Sequence, residues 1–170
     1  MNDNISIIKK CINYQFDGVM FDGSKKKLNE NISKTNIIKN LIKDKNTLLE
    51  AEIGPIYGQE DGFSSTKKKL TETDLIQFIK KANFDLLAIG AGNTHGLLSN
   101  NKVDINLYEA AIKQKKNIKL VFHGGSGTNK TVLKKFLKKN VIKINISSSL
   151  KKEVKNIYHN YLKKNKSFDV

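Results

Sequence analysis

Two of the three histidines, His95 and His123, follow apolar runs that read as strands. If those strands are neighbours, their backbones lie about 4.8 Å apart. Two imidazoles at adjacent strand ends can then reach one metal ion at about 2 Å each. Two turn histidines with ordinary hydrogen bonds are the alternative, because residues this far apart carry no ligand-spacing signature. His159, in a lysine-rich C-terminal stretch, reads as a surface residue. Immediately after His123 come Gly124, Gly125, Ser126 and Gly127. Glycines at a strand-to-helix turn let closely spaced backbone N–H groups approach a phosphate, and the following helix start adds its positive dipole end. A plain tight turn needs one or two glycines, not three and a serine. Near the last strand, Asn145, Ile146, Ser147 and Ser148 supply further donors. Glu50 and Glu52, two positions apart, point to the same side of a strand that is otherwise apolar. Such a pair is buried at a cost unless a cation is near, the alternative being a solvated strand end. Glu60 and Asp61, in a glycine-containing loop, could provide a mobile acid or base, or only charge on an ordinary loop.

The elements that must position these residues alternate. Helical patterns cover 6–15, 29–43, 75–81, 107–116, 130–139 and 150–164, and Thr71 with Asp74 resembles a capping box. Between them lie short, nearly continuous apolar runs at 18–21, 47–53, 84–90, 118–123 and 141–146, as expected of strands covered on both faces. Residues 57–69 read as a long polar loop, and 92–96 as a turn. This is a parallel α/β chain with five strands. A doubly wound sheet and a β/α barrel both fit that alternation. Asp22, Glu52, His95, His123 and Asn145 each fall at or past the end of a different strand. Five polar residues on consecutive strand ends converge on one face, as at a barrel mouth, and no GxGxxG follows the first strand to support a dinucleotide crevice.

Composition bounds the reading. The 170 residues suffice for one core but fall short of the roughly 250 typical of a complete eight-stranded barrel. No apolar run approaches the ~18 residues of a membrane helix, the first twenty residues lack a signal-peptide core, and Cys11 is the one cysteine. A cytoplasmic protein that engages no membrane is expected. The net charge of +15 could indicate a nucleic-acid partner, yet all 31 basic residues are lysine. A groove-reading protein without arginine is not expected, and A/T-rich coding accounts for abundant Lys, Asn and Ile. No nucleic-acid partner is therefore expected.

Together the segments VMFDGS (19–24), EAEIG (50–54), GQEDG (58–62), AIGAGNTHG (88–96), VFHGGSG (121–127) and KINIS (143–147) resemble the class II, metal-dependent ketose-bisphosphate aldolases. They occur in family order across nearly the whole chain. The resemblance implies a partial TIM (β/α)8 barrel whose five strands match barrel strands four to eight, with the first three absent. It implies that His95 and His123 are two of three histidine ligands of a catalytic Zn2+, and that Asp22 and Glu52 can hold a second divalent ion. Gly96, Gly124, Gly125 and Ser126 match the phosphate and monovalent-cation region. Asn145, Ile146, Ser147 and Ser148 match the segment contacting dihydroxyacetone phosphate, with Asn145 also among the catalytic residues. Glu60 matches a loop carboxylate implicated in proton transfer.

The implied reaction is reversible aldol cleavage of fructose or tagatose 1,6-bisphosphate to dihydroxyacetone phosphate and glyceraldehyde 3-phosphate, a glycolytic type of chemistry. The family's Leu-Asp-His-Gly segment, which carries the first zinc histidine and a catalytic Asp, has no counterpart here. Ser147 and Ser149 stand where acidic residues are common, and a C-terminal Asp-Pro-Arg segment is absent. The chain is thus expected to be inactive alone and to associate with itself or with an N-terminal partner chain. An inactive remnant serving as a binding or assembly module is the alternative, and a basic nucleic-acid-associated α/β domain the more remote one.

Overall fold

The computed structural model describes residues 4–58, 69–95 and 103–164. Helix α1 (Ile5–Asn13) leads into β1 (Gly18–Asp22), then α2 (Leu28–Leu41), β2 (Leu48–Ile53) and a two-residue strand β3 (Tyr57–Gly58). Helix α3 (Glu72–Lys81), β4 (Leu86–Ile89), β5 (Thr94–His95), α4 (Ile105–Gln114) and β6 (Leu120–Phe122) follow. A 3-10 turn over 125–127, α5 (Lys130–Leu137), β7 (Val141–Ile144) and α6 (Ser148–Lys164) complete the order. Short polar side chains start the helices: Asn4, Thr71, Asp104 and Asn129 each accept a hydrogen bond from a backbone N–H in the first turn. Thr71 takes the amide of Asp74 at 3.1 Å, as the capping pattern predicts.

The five principal strands form one parallel sheet in the order β1-β2-β4-β6-β7, and β3 pairs with β5 in a separate small sheet. Each strand of the main sheet lies beside its predecessor, with no reversal. Right-handed crossovers then put every helix on the same face, which is barrel-type winding; a doubly wound sheet would reverse direction at a switch point. The structure therefore decides between the two architectures the sequence allowed.

The two faces differ in what they bury. Ala51, Ile53, Leu87, Ile89, Leu120 and Phe122 point toward the helices and pack with Leu75, Phe78, Tyr108 and Phe136. Val19, Phe21 and Leu49 do the same beneath Ile8, Ile12, Ile38 and Ile42. Within the larger core Tyr108 packs edge-on against Phe136 at 4.6 Å between centroids, and Phe122 lies 4.8 Å from Phe136. The opposite face carries only the small cluster Leu86, Ala88 and Val121. Beside it a hollow of about 300 Å³, lined in part by Met20, Leu48, Leu86 and Lys143, reaches Glu50. The sheet is thus an open segment of a barrel wall: a full core outside and a concave, partly polar face inside.

Several boundaries differ from the sequence reading. The strand expected over 84–90 is Leu86–Ile89; just before it, the Asp85 carboxylate accepts from the Leu49 amide at 2.7 Å and pairs with Lys39 at 2.6 Å. Tyr57–Gly58, read as loop, is strand, and the last strand ends at Ile144 rather than at 146. No helix among the described residues is long and apolar enough to cross a membrane.

Candidate active site

The alternation of a strand sends Glu50 and Glu52 together to the concave face. In register, Asp22 pairs with Glu52 across β1 and β2, Glu52 with Ala88 across β2 and β4, and Ala88 with Val121 across β4 and β6. His123, one residue past β6, belongs to the same face. The residue standing between it and β2 is Ala88, whose methyl group leaves room for the imidazole to reach over β4. His123 Nε2 lies 2.9 Å from Glu50 Oε1, and Nδ1 lies 3.6 Å from Glu52 Oε2. All three side chains are buried, with His123 and Glu52 each 1% exposed and Glu50 5%.

Edge strand β7 contributes two more groups to this cluster. Lys143 Nζ pairs with Glu50 Oε2 at 2.5 Å, and Asn145 Nδ2 lies 3.0 Å from His123 Nε2. Burial pushes the Glu50 carboxyl upward, but hydrogen bonds from His123 and Lys143 outweigh it and hold the group below the ordinary carboxylate range. The His123 ring is thus flanked on both sides by carboxylates, Glu50 at Nε2 and Glu52 at Nδ1, with the Asn145 amide also beside Nε2. An imidazole nitrogen and a carboxylate oxygen 3.6 Å apart are ligand types that can share a cation.

Buried amides fix the backbone around these groups. Asn31 of α2 donates to the Glu52 carbonyl at 2.9 Å, and Asn93 donates to the His123 carbonyl at 2.8 Å while accepting from the Ala91 amide at 2.9 Å. Gly54, at φ +79°, and Gly90 cross so closely that a Cβ on Gly90 would lie 2.4 Å from the Gly54 carbonyl. That contact closes the ends of β2 and β4 beneath the site. At the end of β1, Asp22 Oδ1 accepts from the Ser24 amide at 3.0 Å and its hydroxyl at 2.6 Å.

The glycine turn lies against the start of α6. Gly124 has φ +77°, the Gly125 amide donates to the Asn145 carbonyl at 3.0 Å, and a Cβ on Gly125 would meet Ile144 at 2.7 Å. Ser126 Oγ accepts from the amides of Ser147 at 3.0 Å and Ser149 at 3.1 Å. The structure thus brings Gly124, Gly125, Ser126, Asn145, Ile146, Ser147 and Ser148 into one corner beside His123, as the sequence suggests. His95 is placed by its backbone, in β5 opposite Gly58 rather than at the end of β4. Glu60 and Gly96 lie outside the described residues. Among those residues no group of three or more His, Cys, Asp and Glu forms a ready metal cage.

Sequence reasoning missed Lys143, Asn93 and Asn31 as residues of the site. Lys143 is two positions before Asn145, so strand alternation alone puts both on one face. Asn93 lies inside a recognised segment but received no role, and nothing local marks Asn31.

Comparison with known proteins identifies relatives of the chain and of its fold. The chain is 34% identical over 157 residues to a fructose-bisphosphate aldolase of Ureaplasma parvum serovar 3, covering 91% of this chain and 53% of the relative. It is also 34% identical over 146 residues to a 6-phospho-5-dehydro-2-deoxy-D-gluconate aldolase of Shouchella clausii, covering 85% of this chain and 50% of the relative. The crystal structure of the Campylobacter jejuni fructose-bisphosphate aldolase superposes with a TM-score of 0.75 at 23% identity, covering 97% of this chain and 53% of that one. The chain spans about half the length of the curated relatives it matches. The family model for class II fructose-bisphosphate aldolases matches residues 2–170, and the chain belongs to that family.

Proposed function

We propose that this chain carries the zinc-binding and phosphate-binding half of a class II aldolase site, for reversible cleavage of a phosphorylated ketose in the cytoplasm. The observation that carries the reading is the buried cluster of His123, Glu50 and Glu52, with half-buried Asn145 against it, at the strand ends beside the glycine turn. His123 and His95 would hold Zn2+, and Asp22 with Glu52 a second divalent ion. When bound, zinc supplies positive charge where the ketose carbonyl becomes an enediolate.

The chain's own residues do the rest. Glu50, 2.9 Å from Nε2, and Glu52, 3.6 Å from Nδ1, fix the orientation of the His123 ring. Asn145, at hydrogen-bonding distance from that ring, has an amide suited to orienting a substrate hydroxyl. The glycine turn at Gly124 and Gly125, with Ser126, Ile146, Ser147 and Ser148 at the start of α6, would form the corner for a substrate phosphate, and Gly96 would join it for a monovalent cation. Glu60 would move the proton. The substrate is a fructose or tagatose bisphosphate; the Shouchella clausii relative makes the 6-phospho-5-dehydro-2-deoxy-D-gluconate class a second candidate.

Cobalt titration followed by visible absorption tests the reading. The purified chain should bind Co2+ and lose that binding in His123→Ala. Equal binding by both proteins would remove His123 from the metal site and overturn the assignment. A non-catalytic assembly role is the second reading. It predicts no turnover of either bisphosphate when the remainder of a family barrel is supplied.

A further inference from the structure

Helix α6 opens at Ser148, and the N–H groups at its start have no earlier helical carbonyl to bind. Those of Ser147 and Ser149 both point at one atom. Ser126 Oγ lies 3.0 Å from the Ser147 amide and 3.1 Å from the Ser149 amide, and the Ser149 hydroxyl donates to the same oxygen at 3.2 Å. A helix is usually capped by the residue just before it. Here the cap is a side chain 21 and 23 residues earlier, carried on the glycine turn that follows His123.

Three donors around one hydroxyl oxygen are more than its two lone pairs hold well. The contact between the two hydroxyls is accordingly longer than the about 2.7–2.8 Å usual for such a pair. A charged oxygen accepts the same donors at shorter range and about twice as strongly. The positive end of the α6 dipole acts at this point as well, so a cation is repelled from it and an anion drawn to it. We propose that Ser126 is a latch on the phosphate corner: its hydroxyl fills the anion position while the corner is empty and turns away when a phosphate oxygen takes its place. The inference rests on the reading that this corner holds the substrate phosphate.

A phosphate seated in front of an unmoved Ser126 meets one hydroxyl proton there. A phosphate in its place meets two backbone amides and the Ser149 hydroxyl, all as charge-assisted hydrogen bonds. The exchange needs one rotation of the Ser126 side chain between staggered positions. Ser126 is half-buried, and its neighbours in sequence, Gly125 and Gly127, carry no side chains to obstruct that rotation. The latch also makes the corner selective. A neutral sugar hydroxyl offers these amides nothing that Ser126 does not already supply, so a charged oxygen is what displaces it.

Titration with inorganic phosphate, followed by NMR of the Ser147 and Ser149 amides in the full chain, tests the latch in the wild type, Ser126→Ala and Ser126→Asp. Ser126→Ala should bind phosphate at least about threefold more tightly than the wild type, because nothing then occupies the amides. Ser126→Asp puts a carboxylate among the same donors and should bind none, with its Ser149 amide exchanging with solvent more slowly than in the wild type. The Hα–Hβ couplings of wild-type Ser126 should pass from one staggered rotamer to another as phosphate saturates. Equal or weaker binding by Ser126→Ala overturns the proposal, since the hydroxyl then holds phosphate rather than yielding to it. Wild-type affinity in Ser126→Asp overturns it too, as do couplings that do not change. Where circular dichroism shows that Ser126→Ala shortens α6, the Ser126→Asp titration and the wild-type couplings decide. Absence of phosphate binding in all three proteins overturns the phosphate reading itself and the latch with it. Cobalt binding by His123 is read separately, so the metal half of the site is judged on its own.

Discussion

Replacing Lys143 with methionine isolates the contact that holds Glu50 ionised. Glu50 is 5% exposed, and its carboxylate lies 2.5 Å from Lys143 Nζ and 2.9 Å from His123 Nε2. A hydrogen bond to a charged group is worth about 1.5–3 kcal/mol net. The Lys143 side chain is 47% exposed, so solvent screens part of that attraction and about 1–2 kcal/mol remains. Methionine preserves the packing of the stem, so the loss reports the charge. Because the folded-state pKa of Glu50 lies below its unfolded value, the contribution is fully present above the ordinary carboxylate range and is lost as pH falls through the folded value. Urea unfolding of the wild type, Lys143→Met, Glu50→Gln and the double variant should give a coupling of about 1–2 kcal/mol, steady from about pH 7 to pH 5 and shrinking below about pH 4. A coupling under about 0.3 kcal/mol at neutral pH, or one unchanged in acid, would refute the reasoning.

Gly90→Ala should collapse soluble yield, because its Cβ would lie 2.4 Å from the Gly54 carbonyl and backbone cannot give way cheaply; expression and thermal melting check this. Phe122→Ala should cost about 3–5 kcal/mol in urea unfolding, since it empties the cluster shared with Tyr108 and Phe136. Asn93→Ala should cost about 1–3 kcal/mol by leaving the Ala91 amide and the His123 carbonyl without their side-chain partner, and should weaken cobalt binding more than Phe122→Ala does.

The fold was largely legible because its signal is local. Each strand is an apolar run ending at polar or glycine residues, and period-two alternation correctly put Glu50 and Glu52 on one face. The cation near that pair is where local reading failed. Lys143 reaches Glu50 from the far edge of the sheet, and a contact so distant in sequence does not distinguish it from the other lysines among 31. Asn31 and Asn93 escaped for the same reason: their partners are carbonyls 21 and 30 residues away. The start of α6 at Ser148 rather than 150 likewise depends on Ser126, whose hydroxyl caps amides more than twenty residues downstream. The β3-β5 pairing is two residues long on each side, too short for any periodic pattern.

The consecutive strand order also governs how the chain can reach its fold. Each strand is laid down beside the one made just before it, so most pairings close loops of only a few tens of residues. Pairing each strand with its neighbour in sequence lets structure spread from one unit to the next. It also makes the wall severable: cutting such a series between units exposes one new edge on each piece and breaks no crossing connection. A boundary between units is therefore the place where such a wall is divided with the fewest broken contacts.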